Sequence, residues 1–190
     1  CTVEEENNTL PQLEKLRVFD CTNVSTSSLA SSLSSAPELR VLEVSFRGPF
    51  NIDCLQHVEK MVHLRKLLLR HCDIPGDFRF LKSLVHTIEE VRFDLCRIGD
   101  RDAMARALFS NSCYTQLRVL NLPECELVDD NLEGIGALKN TLEVLELGFN
   151  RELTTETLTH CQELVKLKVL DLKDCKGVTD LSPLKHCLNL

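Results

Sequence analysis

The stretch LKVLDLKDCKGVTDLSPL, residues 167–184, decides the fold, because its spacing returns six times earlier in the chain. Leu167, Leu170 and Leu172 follow L-x-x-L-x-L. Cys175 comes three positions later, Val178 three further, and Thr179-Asp180 then opens an apolar helical pattern. Aligned on its first leucine, the unit recurs at Leu13, Leu39, Leu64, Ile88, Leu117 and Leu142, with a period of 24 to 29 residues. A strand alternates its side chains between two faces, so the leucines are expected to turn inward and Lys168, Val169, Asp171, Lys173 and Asp174 outward. One unit cannot bury its own apolar row; parallel strands stacked at about 4.8 Å must do so together.

These residues resemble the leucine-rich repeat proteins, and among them the cysteine-containing type, whose units read C-x-x-V-T-D-x-x-L after the strand. CKGVTDLSPL (175–184) matches most closely, with CTNVSTSSL (21–29) and NRELTTETL (150–158) as looser versions. The resemblance covers nearly the whole chain. It implies an α/β leucine-rich repeat solenoid, an arc or horseshoe with parallel strands on the concave face and mostly helical convex segments. For function it implies a protein-binding role, as in substrate-receptor subunits of ubiquitin ligases or repeat proteins described as adenylate-cyclase regulators.

Position nine of the unit holds Cys21, Arg47, Cys72, Cys96, Cys125, Asn150 and Cys175. A cysteine or asparagine turned inward at a strand end can bond main-chain groups that burial would otherwise leave unpaired. A metal reading competes with this, but the chain has no C-x-x-C, and its His-Cys neighbours (His71-Cys72, His160-Cys161, His186-Cys187) fall in different repeats. No metal or cofactor is expected. Cysteines that follow the repeat period suggest reduced thiols and an intracellular protein, cytoplasmic or nuclear.

With 190 residues, 43% of them hydrophobic, the chain can bury a substantial core as one elongated domain. Residues 1–12 read as an acidic, polar lead-in and 13–190 as about seven repeats, with further repeats or domains expected beyond Leu190. No apolar run reaches the ~20 residues of a membrane span. A net charge of −7 argues against a general nucleic-acid binder.

The connecting segments carry local signals. Ser27 to Leu33 reads as a short helical turn. Arg47 replaces the ladder cysteine, and Gly48-Pro49-Phe50 predicts a distorted turn. Asp53 reads as the cap of a helix from Cys54 to Val62, with Leu55, Val58 and Val62 on one face. Phe78 to Val85 predicts a short helix. Gly99 or Asp100 precedes a helix to about Ser110 that points Met104, Leu108 and Phe109 inward. Asp130 and Glu133 have capping-box spacing, and Thr154 or Thr155 should open a helix to about Val165.

No nucleophile elbow, phosphate loop or dinucleotide fingerprint occurs, and the Glu89-Glu90 and Asp129-Asp130 pairs have ordinary structural readings. The chain is therefore expected not to be an enzyme. Function is expected on the strand face. Position five gives Arg17, Glu43, Leu68, Arg92, Asn121, Glu146 and Asp171; position eight gives Asp20, Phe46, His71, Leu95, Glu124, Phe149 and Asp174. The early repeats look basic on this face and the late ones acidic, a gradient suited to steering a partner. Phe46, Leu68, Arg70, Arg92 and Phe149 are the candidate contacts for a protein partner whose identity the sequence does not reveal. A structural or cytoskeletal assembly module is the alternative.

Overall fold

The computed structural model describes residues 10–19, 25–49, 55, 58, 61–76, 78–110, 114–187 and 189–190. Its strands are β1 (Lys15–Phe19), β2 (Val41–Pro49), β3 (Lys66–Ile74), β4 (Glu90–Asp94), the two-residue β5 (Arg97–Ile98), β6 (Val119–Asn121), β7 (Val144–Glu146) and β8 (Val169–Asp171). Among the described residues three α-helices lie between them: α1 (Thr26–Ser34), α2 (Arg101–Phe109) and α3 (Glu156–Cys161). The strands form one open sheet in the order β1-β2-β3-β4-β6-β7-β8, with β5 against β3. Every pairing is parallel. This is an α/β chain built as a repeat stack, and the register reproduces the sequence alignment: Leu16, Leu42, Leu67, Val91, Leu120, Leu145 and Leu170 lie opposite one another.

That register makes the core. Leu39, Leu64, Ile88, Leu117, Leu142 and Leu167 from position one are fully buried. So are Leu42, Leu67, Val91, Leu120 and Leu145 from position four, and Val44, Leu69, Phe93, Leu122 and Leu147 from position six. Each such side chain contributes about 1.5–3 kcal/mol of transfer free energy. Phe93 meets Phe78 at a centroid distance of 6.0 Å, and Phe78 meets Phe80 at 6.2 Å. Tyr114 is also buried, its hydroxyl donating to Leu81 O and Ala107 O at 3.2 Å each.

The ladder at position nine takes the bonds that its chemistry suggests. Cys96 Sγ donates to Leu69 O at 3.3 Å, Cys125 Sγ to Phe93 O at 3.1 Å and Cys175 Sγ to Leu147 O at 3.3 Å. Asn150 does more. Its Nδ2 donates to Leu122 O (2.8 Å) and Leu147 O (2.7 Å), while its Oδ1 accepts from Cys125 N (3.1 Å) and Leu127 N (3.0 Å). The thiols of Cys72, Cys96, Cys125 and Cys175 are buried and unbridged. Cys21 lies outside the described residues. Where the ladder residue is Cys96, the main chain after the strand pairs directly instead, Asp73 against Arg97 and Ile74 against Ile98.

The return segments are less helical than the sequence suggests. Only α1, α2 and α3 are α-helices among the described residues; Arg79–Leu84, Asp129–Leu132, Ile135–Leu138 and Ser182–His186 are 3-10 helices. In α1 the Ser25 hydroxyl caps Ser28 N at 3.1 Å. Helix α2 starts as expected, with Asp100 Oδ1 accepting from Ala103 N at 2.8 Å, and buries Met104, Leu108 and Phe109.

Four local expectations are corrected. The chain at Gly48 is not a turn: β2 continues through Pro49, and a register shift after Ser45 puts Gly48, not Arg47, opposite Cys72. One extra residue in one strand is a β-bulge, and it displaces Arg47 from the ladder row. Phe50, Asp53 and Cys54 lie outside the described residues, but Leu55 and Val58 are buried as expected while Val62 is 64% exposed and Met61 takes the inward place. Asp130 and Glu133 make no capping box; Asn131 Oδ1 accepts from Val128 N at 3.0 Å, and Asn131 Nδ2 reaches back to Asp102 at 2.8 Å. Helix α3 ends at Cys161, not Val165, as Leu164 N closes a tighter turn onto Cys161 O at 3.0 Å. Its capping hydroxyls serve neighbouring units: Thr154 Oγ1 donates to Asp129 Oδ2 (2.7 Å), and Thr155 Oγ1 accepts from Thr179 N (3.0 Å) and Asp180 N (3.2 Å).

Candidate functional site

Because the strands are parallel and in register, side chains at position five form one straight row across the sheet: Arg17, Glu43, Leu68, Arg92, Asn121, Glu146 and Asp171. Neighbours in such a row stand about 4.8 Å apart. At that spacing opposite charges meet across strands without any turn of the backbone.

In the first four strands they do meet. Arg17 and Lys15 both reach Glu43, at 2.7 and 3.4 Å. Lys66 reaches Glu90 at 2.8 Å, and Arg92 bonds the other oxygen of the same carboxylate. Arg70 places Nε and Nη2 on Asp94 Oδ2 at 3.2 and 2.9 Å, and Arg65 pairs with Glu89. Burial raises the pKa of Glu43, but the bonds from Arg17 and Lys15 outweigh it and the net shift is downward. The Glu90 carboxyl is likewise lowered, with Lys66 and Arg92 overcoming burial. The basic first half inferred from the sequence is therefore internally paired but still net positive, since Lys15, Arg17, Lys66, Arg70 and Arg92 share three carboxylates. Arg70 and Arg92 lie on the strand face as expected, but each is already engaged.

The second half differs. Glu143 is paired with Lys168 at 2.7 Å and Arg118 at 3.4 Å, whereas Glu146 and Asp171 have no cationic partner among the described residues. Glu146 accepts from Asn121 Nδ2 at 2.6 Å, and Asp171 Oδ1 from the main-chain N–H of Lys173 at 2.8 Å. Lys173 Nζ itself lies 5.0 Å from the centre of the Phe149 ring, a cation–π distance.

The five candidate contacts do not form one cluster. Leu68 and Arg92 face each other on β3 and β4, and Arg70 stands beside Asp94 one step along the same pair. Phe46 is half-buried against the core, and Leu68 is half-buried in its row. Phe149 lies past the end of β7, two strands from Arg92 along the sheet order. It is 36% exposed, and Leu95 is 42% exposed.

Phe149 and Leu95 belong instead to a groove of about 620 Å³ along the strand ends, which also includes His71, Glu124, Arg97 and Arg151. Its inner wall is the position-eight row, and five residues of that row share one backbone conformation: His71, Leu95, Glu124, Phe149 and Asp174 all have φ between 54° and 65°. This left-handed turn swings the next residue, the ladder thiol or Asn150, into the core and lifts the position-eight side chain outward. None of the five is glycine, the residue that marks such a turn in a sequence, so the groove had no local signal; only the period pointed to it. Among the described residues no group of three or more His, Cys, Asp and Glu side chains could hold a metal ion, and no helix is long and apolar enough to cross a membrane.

No protein-family model matches the chain, and no curated protein matches it. Among solved structures it is similar to a chain in the crystal structure of the Rad7 and Elc1 complex in yeast, at 14% sequence identity and a TM-score of 0.37. The match covers 91% of this chain and 60% of that one, so this chain spans less than two thirds of that neighbour's length.

Proposed function

We propose that this chain is a leucine-rich repeat solenoid that acts by binding a protein partner on its strand face and strand-end groove, and that it performs no catalysis. The observation that carries the reading is the placement of Leu95 and Phe149. Both are large apolar side chains exposed on the rim of one groove, while the leucines beneath them are sealed. Their backbone conformation costs on the order of 1–3 kcal/mol per residue, and an exposed aromatic held on a rigid edge suits an interface anchor. The same role suits the recognition part of a larger protein, such as a substrate receptor or a signalling regulator.

The test is capture of partners from a native extract on the immobilised chain, in parallel with Leu95→Ala/Phe149→Ala and with Asp130→Ala on the return side. Circular dichroism first establishes that all three are folded. Loss of the same protein bands with the double variant alone supports the groove. Equal capture by all three removes these anchors.

A further inference from the structure

The ion pairs divide the strand face unequally. On β1 to β4 the cations Lys15, Arg17, Lys66, Arg70 and Arg92 are each matched to a carboxylate within the sheet. On β6 to β8 the position-five row runs Asn121, Glu146, Asp171, and neither carboxylate has a cation among the described residues. A second, independent feature lies in the same row. Asn121 is completely buried, unlike the exposed Asp171, and its Oδ1 is a buried side-chain oxygen with no hydrogen-bond donor. Leaving such an atom unpaired costs free energy. The row therefore holds two uncompensated negative charges and one unused acceptor side by side, and its one side-chain donor, Asn121 Nδ2, is already spent on Glu146.

We propose that Asn121, Glu146 and Asp171 form a receptor for an arginine side chain presented by an extended segment of a protein partner. This rests on the reading of the strand face as a binding surface and names the chemistry it selects. A guanidinium carries five N–H donors in a planar fork. It matches a row whose carboxylate acceptors are the second Glu146 oxygen and Asp171 Oδ2, with the buried Asn121 Oδ1 unpaired beside them. A lysine ammonium is a compact point charge that supplies three donors from one atom and spans fewer of them. A divalent cation is disfavoured because these positions hold only two carboxylates, and no three metal-ligating side chains converge among the described residues. The direction of recognition is thus opposite to that suggested by the basic residues: Arg70 and Arg92 are occupied, and the open charges are carboxylates.

The experiment is fluorescence anisotropy with the purified chain and a labelled octapeptide of alternating arginine and serine, with its lysine counterpart, run beside amide NMR of the Asn121 side chain. The arginine peptide is expected to bind and to move the Asn121 Nδ2 resonances. Glu146→Gln/Asp171→Asn should weaken it by about ten-fold or more, and added salt should weaken it further. Asp130→Asn/Glu133→Gln changes the net charge by the same amount on the return side and should leave affinity unchanged. Equal loss with both double variants would show nonspecific attraction and overturn the proposal. So would equal binding of the lysine peptide, still Asn121 resonances, or movement of those resonances by calcium but not by peptide. This titration is independent of the extract capture. Partners held through Leu95 and Phe149 with no arginine binding remove the receptor and leave the binding surface; arginine binding without those partners removes the apolar anchors and leaves the receptor.

Discussion

Replacing Asn150 by alanine withdraws two donors and one doubly used acceptor from the centre of the stack, and the cost follows from what each main-chain group has left. Cys125 N and Leu127 N lose their shared acceptor, at 3.1 and 3.0 Å. Leu122 O loses its 2.8 Å donor. Leu147 O loses a 2.7 Å donor but keeps the Cys175 thiol at 3.3 Å, so it is not orphaned. Three buried groups at about 1–2 kcal/mol each give about 3–6 kcal/mol, a large part of the 5–15 kcal/mol that holds a typical domain.

Asn150→Cys separates the donor from the acceptor role. A thiol restores a donor toward Leu122 O, as Cys125 provides for Phe93 O, but it cannot hold two N–H groups. Its destabilisation should fall between wild type and Asn150→Ala. Equilibrium urea unfolding followed by circular dichroism measures both, with comparison of midpoints valid where the slope is unchanged. An Asn150→Ala midpoint within about 1 kcal/mol of wild type would falsify the account of the ladder as the closure of buried main-chain groups.

Three further outcomes are expected. Burial raises the Asp129 pKa, but hydrogen bonds from the Thr157 hydroxyl and from Thr154 N and Oγ1 outweigh it, so the folded carboxyl lies below its ordinary value. A depressed pKa gives stability that is complete above the unfolded pKa and lost as pH falls through the folded one; Asp129→Asn should flatten that acid limb of the stability curve, and an unchanged limb would remove the latch between the fifth and sixth units. Burial pushes the thiols of Cys125 and Cys161 up to about 12, while a bond from Cys72 and then burial raise Cys96; mass spectrometry after maleimide treatment should find these three unlabelled until denaturant is added, and rapid labelling of the folded chain would contradict their placement. Leu95→Asn should raise the unfolding midpoint by up to about 1 kcal/mol, because asparagine tolerates the left-handed backbone at φ 56° better than leucine, while weakening partner capture; a lower midpoint would mean that Leu95 packs more than its 42% exposure implies.

The period and the apolar positions were legible because stacking leaves no choice: one leucine out of register would expose an entire row. The bulge in β2 was not, since Gly48-Pro49 reads equally as a turn and only the pairing with Cys72 and Asp73 distinguishes the two. Short 3-10 returns were also hidden. Asp129, Thr154 and Thr155 look like helix caps in sequence, but their side chains bond the neighbouring units at offsets of 24 to 28 residues, a partner that no local window contains. The groove was half legible, because Phe149 and Leu95 occupy outward positions in the period while the φ values that raise them carry no residue signature.

Charge shows most clearly why listing side chains on a face differs from knowing what the face offers. Arg70, Arg92 and Lys66 were correctly placed, yet Asp94 and Glu90 on β4 bind them, one strand over from Arg70 and Lys66 and two residues before Arg92 on its own strand, and ion pairs of this exposed kind contribute only about 0–1 kcal/mol to folding. Their larger effect is on recognition: a cation shared with a neighbouring carboxylate exerts little field at a distance, because the pair's opposite charges cancel beyond a few ångströms. Five cations on three carboxylates leave β1 to β4 net positive, whereas Glu146 and Asp171 have no cationic partner among the described residues, so the negative end of the sheet's field lies toward β7 and β8. A partner steered by that field arrives with positive charge toward β6 to β8, and the unused acceptor of Asn121 lies in the same row to which the charge leads it.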